Sequence, residues 1–240
     1  MPRSSTTAVL AVTALSLLAL SACSTNTPST SSTAGGGPAP AATAPGKSEE
    51  SRPASVLSSE QLRGRLLNAG DLGEGYVPKP QRDVGQSVGR DDVTVIGCPA
   101  LEKLGGEAGA GGSLDFPRRA KAAFTYTGSR DAELSAELYS DTAARLSTGT
   151  GRIFEAMTSC PVYQAVVGST PVKVATQKLT APDFGDEQWS QLLTFTAAGR
   201  DSVVKQTAIR AGTVLAVVSG SPALVDAHME KVLAKAAPAA

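Results

Sequence analysis

The chain has 240 residues, with 22 basic and 22 acidic side chains, 41% hydrophobic residues and only 4% aromatic ones. A net charge of zero provides no concentrated basic surface, which argues against a nucleic-acid partner. One histidine and three cysteines leave little material for metal or nucleophilic chemistry, and no cofactor is implied.

The first element is an apolar run, Ala8–Leu20, preceded by a single charge at Arg3. It has the length of a signal-peptide core and is too short to span a bilayer as a helix. It ends in Leu20-Ser21-Ala22-Cys23, which reads as a lipobox. A thiol is required there because sulfur takes the diacylglyceryl group before the signal is cut away, so Cys23 is the expected lipidation site. An ordinary secretory signal with an incidental cysteine is the competing reading. Two or more acyl chains, at about 0.8 kcal/mol per buried CH₂, suffice for stable anchoring, whereas one alone is marginal. Loss of residues 1–22 removes Arg3 and no acid, leaving 21 basic against 22 acidic residues, close to −1.

Ser24–Ser55 is mostly Ser, Thr, Ala, Pro and Gly, with no large apolar side chain. Such a segment buries too little surface to offset chain entropy and is expected to be a tether, reaching roughly 30 Å as a flexible coil. From Val56 onward the chain suits one domain with its own core. Cys98 and Cys160 remain after lipidation, an even pair in an oxidising compartment, and are expected to form a disulfide. Free buried thiols or a metal site are the alternatives, and neither cysteine has the close-spaced partner that zinc requires.

Ser58, Gln61, Leu57 and Leu62 supply the capping box and staple of a first helix, with Leu62, Leu66 and Leu67 on one face and Gly70 as its end. Tyr76–Lys79 reads as a short extended piece and Val93–Ile96 as a strand. Cys98-Pro99 opens a short helix to Leu104, followed by a glycine loop at Gly105–Gly112. Ala120–Thr127 and Glu133–Tyr139 alternate as strands about a turn at Gly128–Arg130. A second long helix starts near Asp141 with the stripe Ala143, Leu146, Thr150, Ile153, Met157 and Cys160, weakened by Gly149 and Gly151, where a break is admissible. Strands follow at Val162–Val167 and Val172–Lys178, then a polar loop Pro182–Gln188. A meander comes next, at Gln191–Ala197, Ser202–Arg210 and Thr213–Ser219. Ser221 and Pro222 open a terminal helix with Val225, Met229, Val232, Leu233 and Ala236 inward. The expected class is α+β: an antiparallel sheet with a C-terminal meander, helices packed on it and one disulfide.

Chemistry is sparse. His228 sits at the edge of the last helix's apolar stripe, and no G-x-S-x-G elbow accompanies it, so it reads as a boundary residue and no catalytic residue is assigned. The glycine loop lacks the spacing of phosphate- or dinucleotide-binding turns. Asp183, Asp186 and Glu187 do not follow a calcium-binding spacing and read as a solvated loop carrying a structural aromatic, Phe184. Trp189, the only tryptophan, is either core or the wall of a cleft.

One ordered set of motifs remains. It runs from Asp71-Leu72-Gly73-Glu74-Gly75-Tyr76 through Cys98-Pro99-Ala100-Leu101 and Cys160-Pro161 to Pro182-Asp183-Phe184-Gly185-Asp186-Glu187, the meander and a capped final helix. Together these resemble the PknH-type extracellular sensor-like domain of actinobacteria, over most of Val56–Ala237. That family occurs outside transmembrane Ser/Thr kinases and as free lipoproteins. The resemblance implies a disulfide-stapled antiparallel sheet with helices and a cleft for an unidentified ligand, here placed beside Phe184 and Trp189. Family members commonly carry two disulfides, whereas this chain has cysteines for one, and it contains no kinase sequence. The expected function is therefore a non-catalytic, lipid-anchored, extracytoplasmic ligand-binding or sensor-like lipoprotein, held to the membrane only by its lipid. A cell-envelope adaptor or assembly factor that binds a protein partner is the second reading.

Overall fold

The structure, a computed structural model, describes residues 55–80, 93–105, 114–129 and 132–237. Cys23 with its lipobox, nearly all of the tether, most of the glycine loop and Arg130 lie outside the described residues. No helix among the described residues is long and apolar enough to cross a membrane.

The strands are β1 (Tyr76–Pro78), β2 (Val93–Ile96), β3 (Arg119–Tyr126), β4 (Ala132–Ser140), β5 (Val162–Val167), β6 (Thr170–Leu179), β7 (Glu187–Ala197), β8 (Arg200–Ala211) and β9 (Val214–Gly220). They form one antiparallel sheet in the order β1-β3-β4-β9-β8-β7-β6-β5-β2. The helices are α1 (Ser59–Arg65), α2 (Ala69–Leu72), α3 (Pro99–Glu102), α4 (Ala143–Ser159) and α5 (Pro222–Ala236). The architecture is the expected α+β arrangement.

Strand alternation divides the core in two. In β9, Val214, Ala216 and Val218 face a cluster with Leu62, Leu134, Leu138, Ile209, Val225, Met229 and Val232, under α1, α2 and α5. Leu215 and Val217 point the other way, to Tyr139, Leu146, Phe154 and Ala208 beneath α4. On that same α4 side a third cluster joins Val95, Leu101, Met157, Tyr163, Val174 and Leu193. The disulfide belongs to it. Cys98 and Cys160 are bonded with Cα atoms 5.7 Å apart, pinning the start of α3 to the end of α4.

Local departures from the sequence expectations have local causes. The capping box forms, with Ser58 Oγ accepting from the Gln61 N–H at 3.2 Å and Gln61 Oε1 accepting from the Ser58 N–H at 2.8 Å. The helix nevertheless ends at Arg65, not at Gly70, because Asn68 and Asp71 make a second capping box that starts α2 with Gly70 inside it. α4 runs unbroken through both glycines. Its buried residues are Leu146, Thr150, Phe154, Ala156 and Met157, so the face is rotated from the expected stripe, with Ala143 exposed. β7 starts at Glu187 rather than Gln191, since residues 187–190 pair with Thr207–Arg210 of β8. At α5, the Ser221 side chain makes no capping bond; its carbonyl takes the Leu224 and Val225 N–H groups instead. Gly220 just before it has φ 147° and lies so close to the Glu133 carbonyl that no Cβ would fit.

Candidate functional site

A cleft of about 720 Å³ opens on the α4 side of the sheet. Its helix wall is Gly151, Phe154, Glu155 and Thr158, spaced i, i+3, i+4, i+7 along one face of α4. Its sheet wall is Lys178 to Ala181, from the end of β6 and the connection after it, and Glu187 to Ser190, the first turn-proximal residues of β7. The volume falls in the range of small-molecule clefts, about 300–1,000 Å³.

Trp189 is the centre of this wall. It is half-buried and lies on β7 directly opposite Ala208, which is fully buried. Phe154 packs beside it, ring centroids 6.4 Å apart and tilted 38°. Gly151, one turn before Phe154 on the same face of α4, brings no side chain there; an added Cβ would meet the indole Nε1 at an ordinary 3.8 Å.

The floor at Glu187 is held by Arg210, itself only 8% exposed. Arg210 Nη1 donates to Asp186 Oδ2 at 2.8 Å and its Nε donates to Glu187 Oε2 at 3.2 Å. Ser147 Oγ donates to the other Glu187 oxygen at 3.0 Å, and the Gly212 N–H donates to Asp186 at 2.7 Å. The Arg210 bond holds the Glu187 carboxyl below its ordinary range, with Ser147 assisting against the cost of burial. These carboxylates are therefore structural: the segment read as a solvated loop is clamped to the end of β8. Asp183 is exposed and lies outside this clamp, with Gln188 Nε2 at 3.5 Å. No group of three or more His, Cys, Asp or Glu able to hold a metal occurs among the described residues.

Phe184 and Trp189, assigned together to a cleft from the sequence, are not neighbours in the structure. Phe184 packs against the cluster under α5, on the opposite face of the sheet. The reason is the pairing of β7, whose alternation sends Trp189 to the α4 side while the preceding loop folds over Ile209. The aromatic partner of Trp189 is Phe154, which the helical stripe passed over in favour of Ile153. Arg210 was also missed, although a charged residue one step before the Ala211-Gly212 turn is the signal that could have found it.

His228 lies on α5, on the face away from the cleft. Its Nε2 is 2.6 Å from the Tyr76 hydroxyl and its ring meets the Tyr76 ring edge-on at 87°. Burial pushes the imidazole below its ordinary 6.5, with Lys231 adding to the shift, and Nδ1 is buried with no hydrogen-bond partner among the described residues.

No protein-family model matches this chain, and no curated protein sequence does. Among solved structures it is similar to the crystal structure of the extracellular domain of PknH from Mycobacterium tuberculosis, with a TM-score of 0.56 and 12% identity. The match covers 76% of this chain and 97% of that one. The two share a fold, which in this chain is an α+β sheet of nine strands among the described residues, stapled by the Cys98–Cys160 disulfide. At this identity the likeness extends no further than the fold.

Proposed function

We propose that this chain is an extracytoplasmic, sensor-like binding domain without catalytic activity, anchored in the membrane through lipid on Cys23. The observation that carries the reading is the cleft at Trp189, with a half-buried indole on a strand paired on both sides and Lys178, Glu155 and Glu187 in its lining. Three further observations support it. The fold is shared with an extracellular domain, a buried disulfide fits an oxidising compartment, and Leu20-Ser21-Ala22-Cys23 ends an apolar run of signal-peptide length.

Two measurements test it. Mass spectrometry of the protein from its membrane is expected to find a mature chain beginning at acylated Cys23; an intact initiating methionine would refute the anchor. Thermal-shift measurement against fractionated envelope extract is expected to raise the melting temperature in at least one small-molecule fraction, by RT ln(1 + [L]/Kd) in free energy.

A second reading, an envelope adaptor that binds a protein, is favoured by a separate surface. Val162, Ala175, Thr194 and Val203 pair in one row across β5, β6, β7 and β8 on the face opposite α4. Val162 is 51% and Val203 43% exposed. Ile96 on β2 shares that face and is half exposed as well. A stoichiometric protein partner recovered from membranes, lost when Val162 and Val203 become Lys, would support it over a small ligand.

A further inference from the structure

We infer that the cleft takes an uncharged or singly charged saccharide, one pyranose ring stacking on Trp189. The inference rests on the binding-domain reading and names its ligand class.

Four classes of ligand can be compared against the lining. A phosphate-rich or sulfated ligand needs converging cations, and the lining offers Lys178 against Glu155 and Glu187. An acyl chain needs a continuous apolar tunnel, and here Trp189, Phe154, Leu179 and Ala181 alternate with Thr158, Thr180, Gln188 and the charged groups. An extended peptide binds by adding to an open strand edge, but β6 and β7 are each paired on both sides. A pyranose fits both halves of the chemistry. Its axial C–H groups, polarised by neighbouring oxygens, meet the electron-rich indole face, and its equatorial hydroxyls reach amide, hydroxyl, carboxylate and ammonium groups at the rim.

The architecture favours a flat ring on the indole in particular. Phe154 packs beside the indole with ring centroids 6.4 Å apart, Ala208 is its neighbour on β8, and Gly151, one turn before Phe154 on α4, brings no side chain to the cleft. Lys178, which pairs with Gln191 of β7, and Glu187, two residues before Trp189, lie on the same face of the sheet as the indole and set charged groups beside it.

Trp189 is the chain's only tryptophan, so its emission reads occupancy of this cleft alone. The full chain is titrated with a panel of neutral and amino oligosaccharides of pentose, hexose and N-acetylhexosamine, alongside palmitate and inositol hexakisphosphate. The expected result is a saturable shift of emission with at least one saccharide and none with the other two. Trp189→Ala, followed through the sugar protons by saturation-transfer NMR, is expected to weaken that saccharide about tenfold or more. Gly151→Leu extends a side chain into the cleft from a position where the Cβ makes only an ordinary contact with the indole Nε1. It is expected to abolish binding at an equal or higher melting temperature, which separates occlusion from misfolding. Saturation by palmitate or the polyphosphate and by no saccharide overturns the ligand class and leaves the binding-domain reading standing. Emission that no probe and no envelope fraction alters overturns both. A saccharide that binds the Gly151→Leu chain as well as the parent sits elsewhere, and overturns the inference.

Discussion

Two glycines a single residue apart in α4 are expected to respond to alanine with opposite signs relative to helix propensity. Gly→Ala in a helix interior gains about 1 kcal/mol, since alanine loses less backbone freedom on folding. At Gly151 a Cβ finds ordinary contact, 3.8 Å from Trp189 Nε1, so Gly151→Ala should keep that whole gain. At Gly149 the Cβ would lie 2.7 Å from Phe116 Cζ. Phe116 is 8% exposed and packed edge-on against buried Tyr139, so the ring has little room to retreat. Overpacking of this kind costs about 1–3 kcal/mol, which cancels or outweighs the propensity gain. The two variants should therefore differ by about 1–3 kcal/mol. For a domain of this size that corresponds to roughly 2–4 °C in melting temperature per kcal/mol. Differential scanning calorimetry of the two single variants measures it directly. Equal stabilisation by both would show that α4 does not press on Phe116 and that the helix sits differently on the sheet, taking the cleft geometry with it.

Other perturbations test the remaining supports. Reducing the Cys98–Cys160 disulfide releases a loop closed over a sequence separation of 62, for which chain entropy gives about 4 kcal/mol; the melting temperature of the reduced protein should fall by roughly 10 °C. Faster deuterium exchange should appear first in β2 and α3, and an unchanged transition would contradict the bridge. Arg210→Met strips Asp186 and Glu187 of their shared cation; because both carboxylates are partly exposed, the expected cost is about 1–2 kcal/mol, seen also as faster exchange of the Gly212 amide. Stability should also fall in two stages on acidification. His228 titrates below its ordinary 6.5 when folded, so the unfolded chain takes up that proton first and stability declines as pH drops below about 6.5. Asp71, held low by Lys235 and the Asn68 N–H, and Glu187, held low by Arg210, contribute stability above their ordinary values that is lost below about pH 4.5. His228→Gln should remove the first stage alone in a melting-temperature series from pH 7.5 to 3.

The elements that the sequence revealed are those whose signals are local. The Ser58–Gln61 box, the β7-β8-β9 meander and the pairing of the two remaining cysteines each depend on spacing within a few residues or on a count. Sheet order does not. β9 lies between β4 and β8, and β2 pairs with β5 at the far edge from β1, and no pattern within either strand encodes such long-range partners. The start of β7 was hidden for the same reason. Glu187 and Gln188 carry loop chemistry, and only pairing with Arg210 and Ile209 across the ladder makes them strand.

The cleft falls between these limits, which is why its residues were recognised singly and not as a set. Trp189 could be marked as core or wall, and the choice depends on what α4 places in front of it. That placement turns on Gly149 and Gly151, which at the level of propensity are the same flaw in one helix. In the folded chain they do different things: the first lets α4 approach Phe116, and the second brings no side chain to the indole edge. Alanine fits at Gly151 and clashes at Gly149, so binding measured with Gly151→Ala and Gly151→Leu tests directly whether the space beside Trp189 is used.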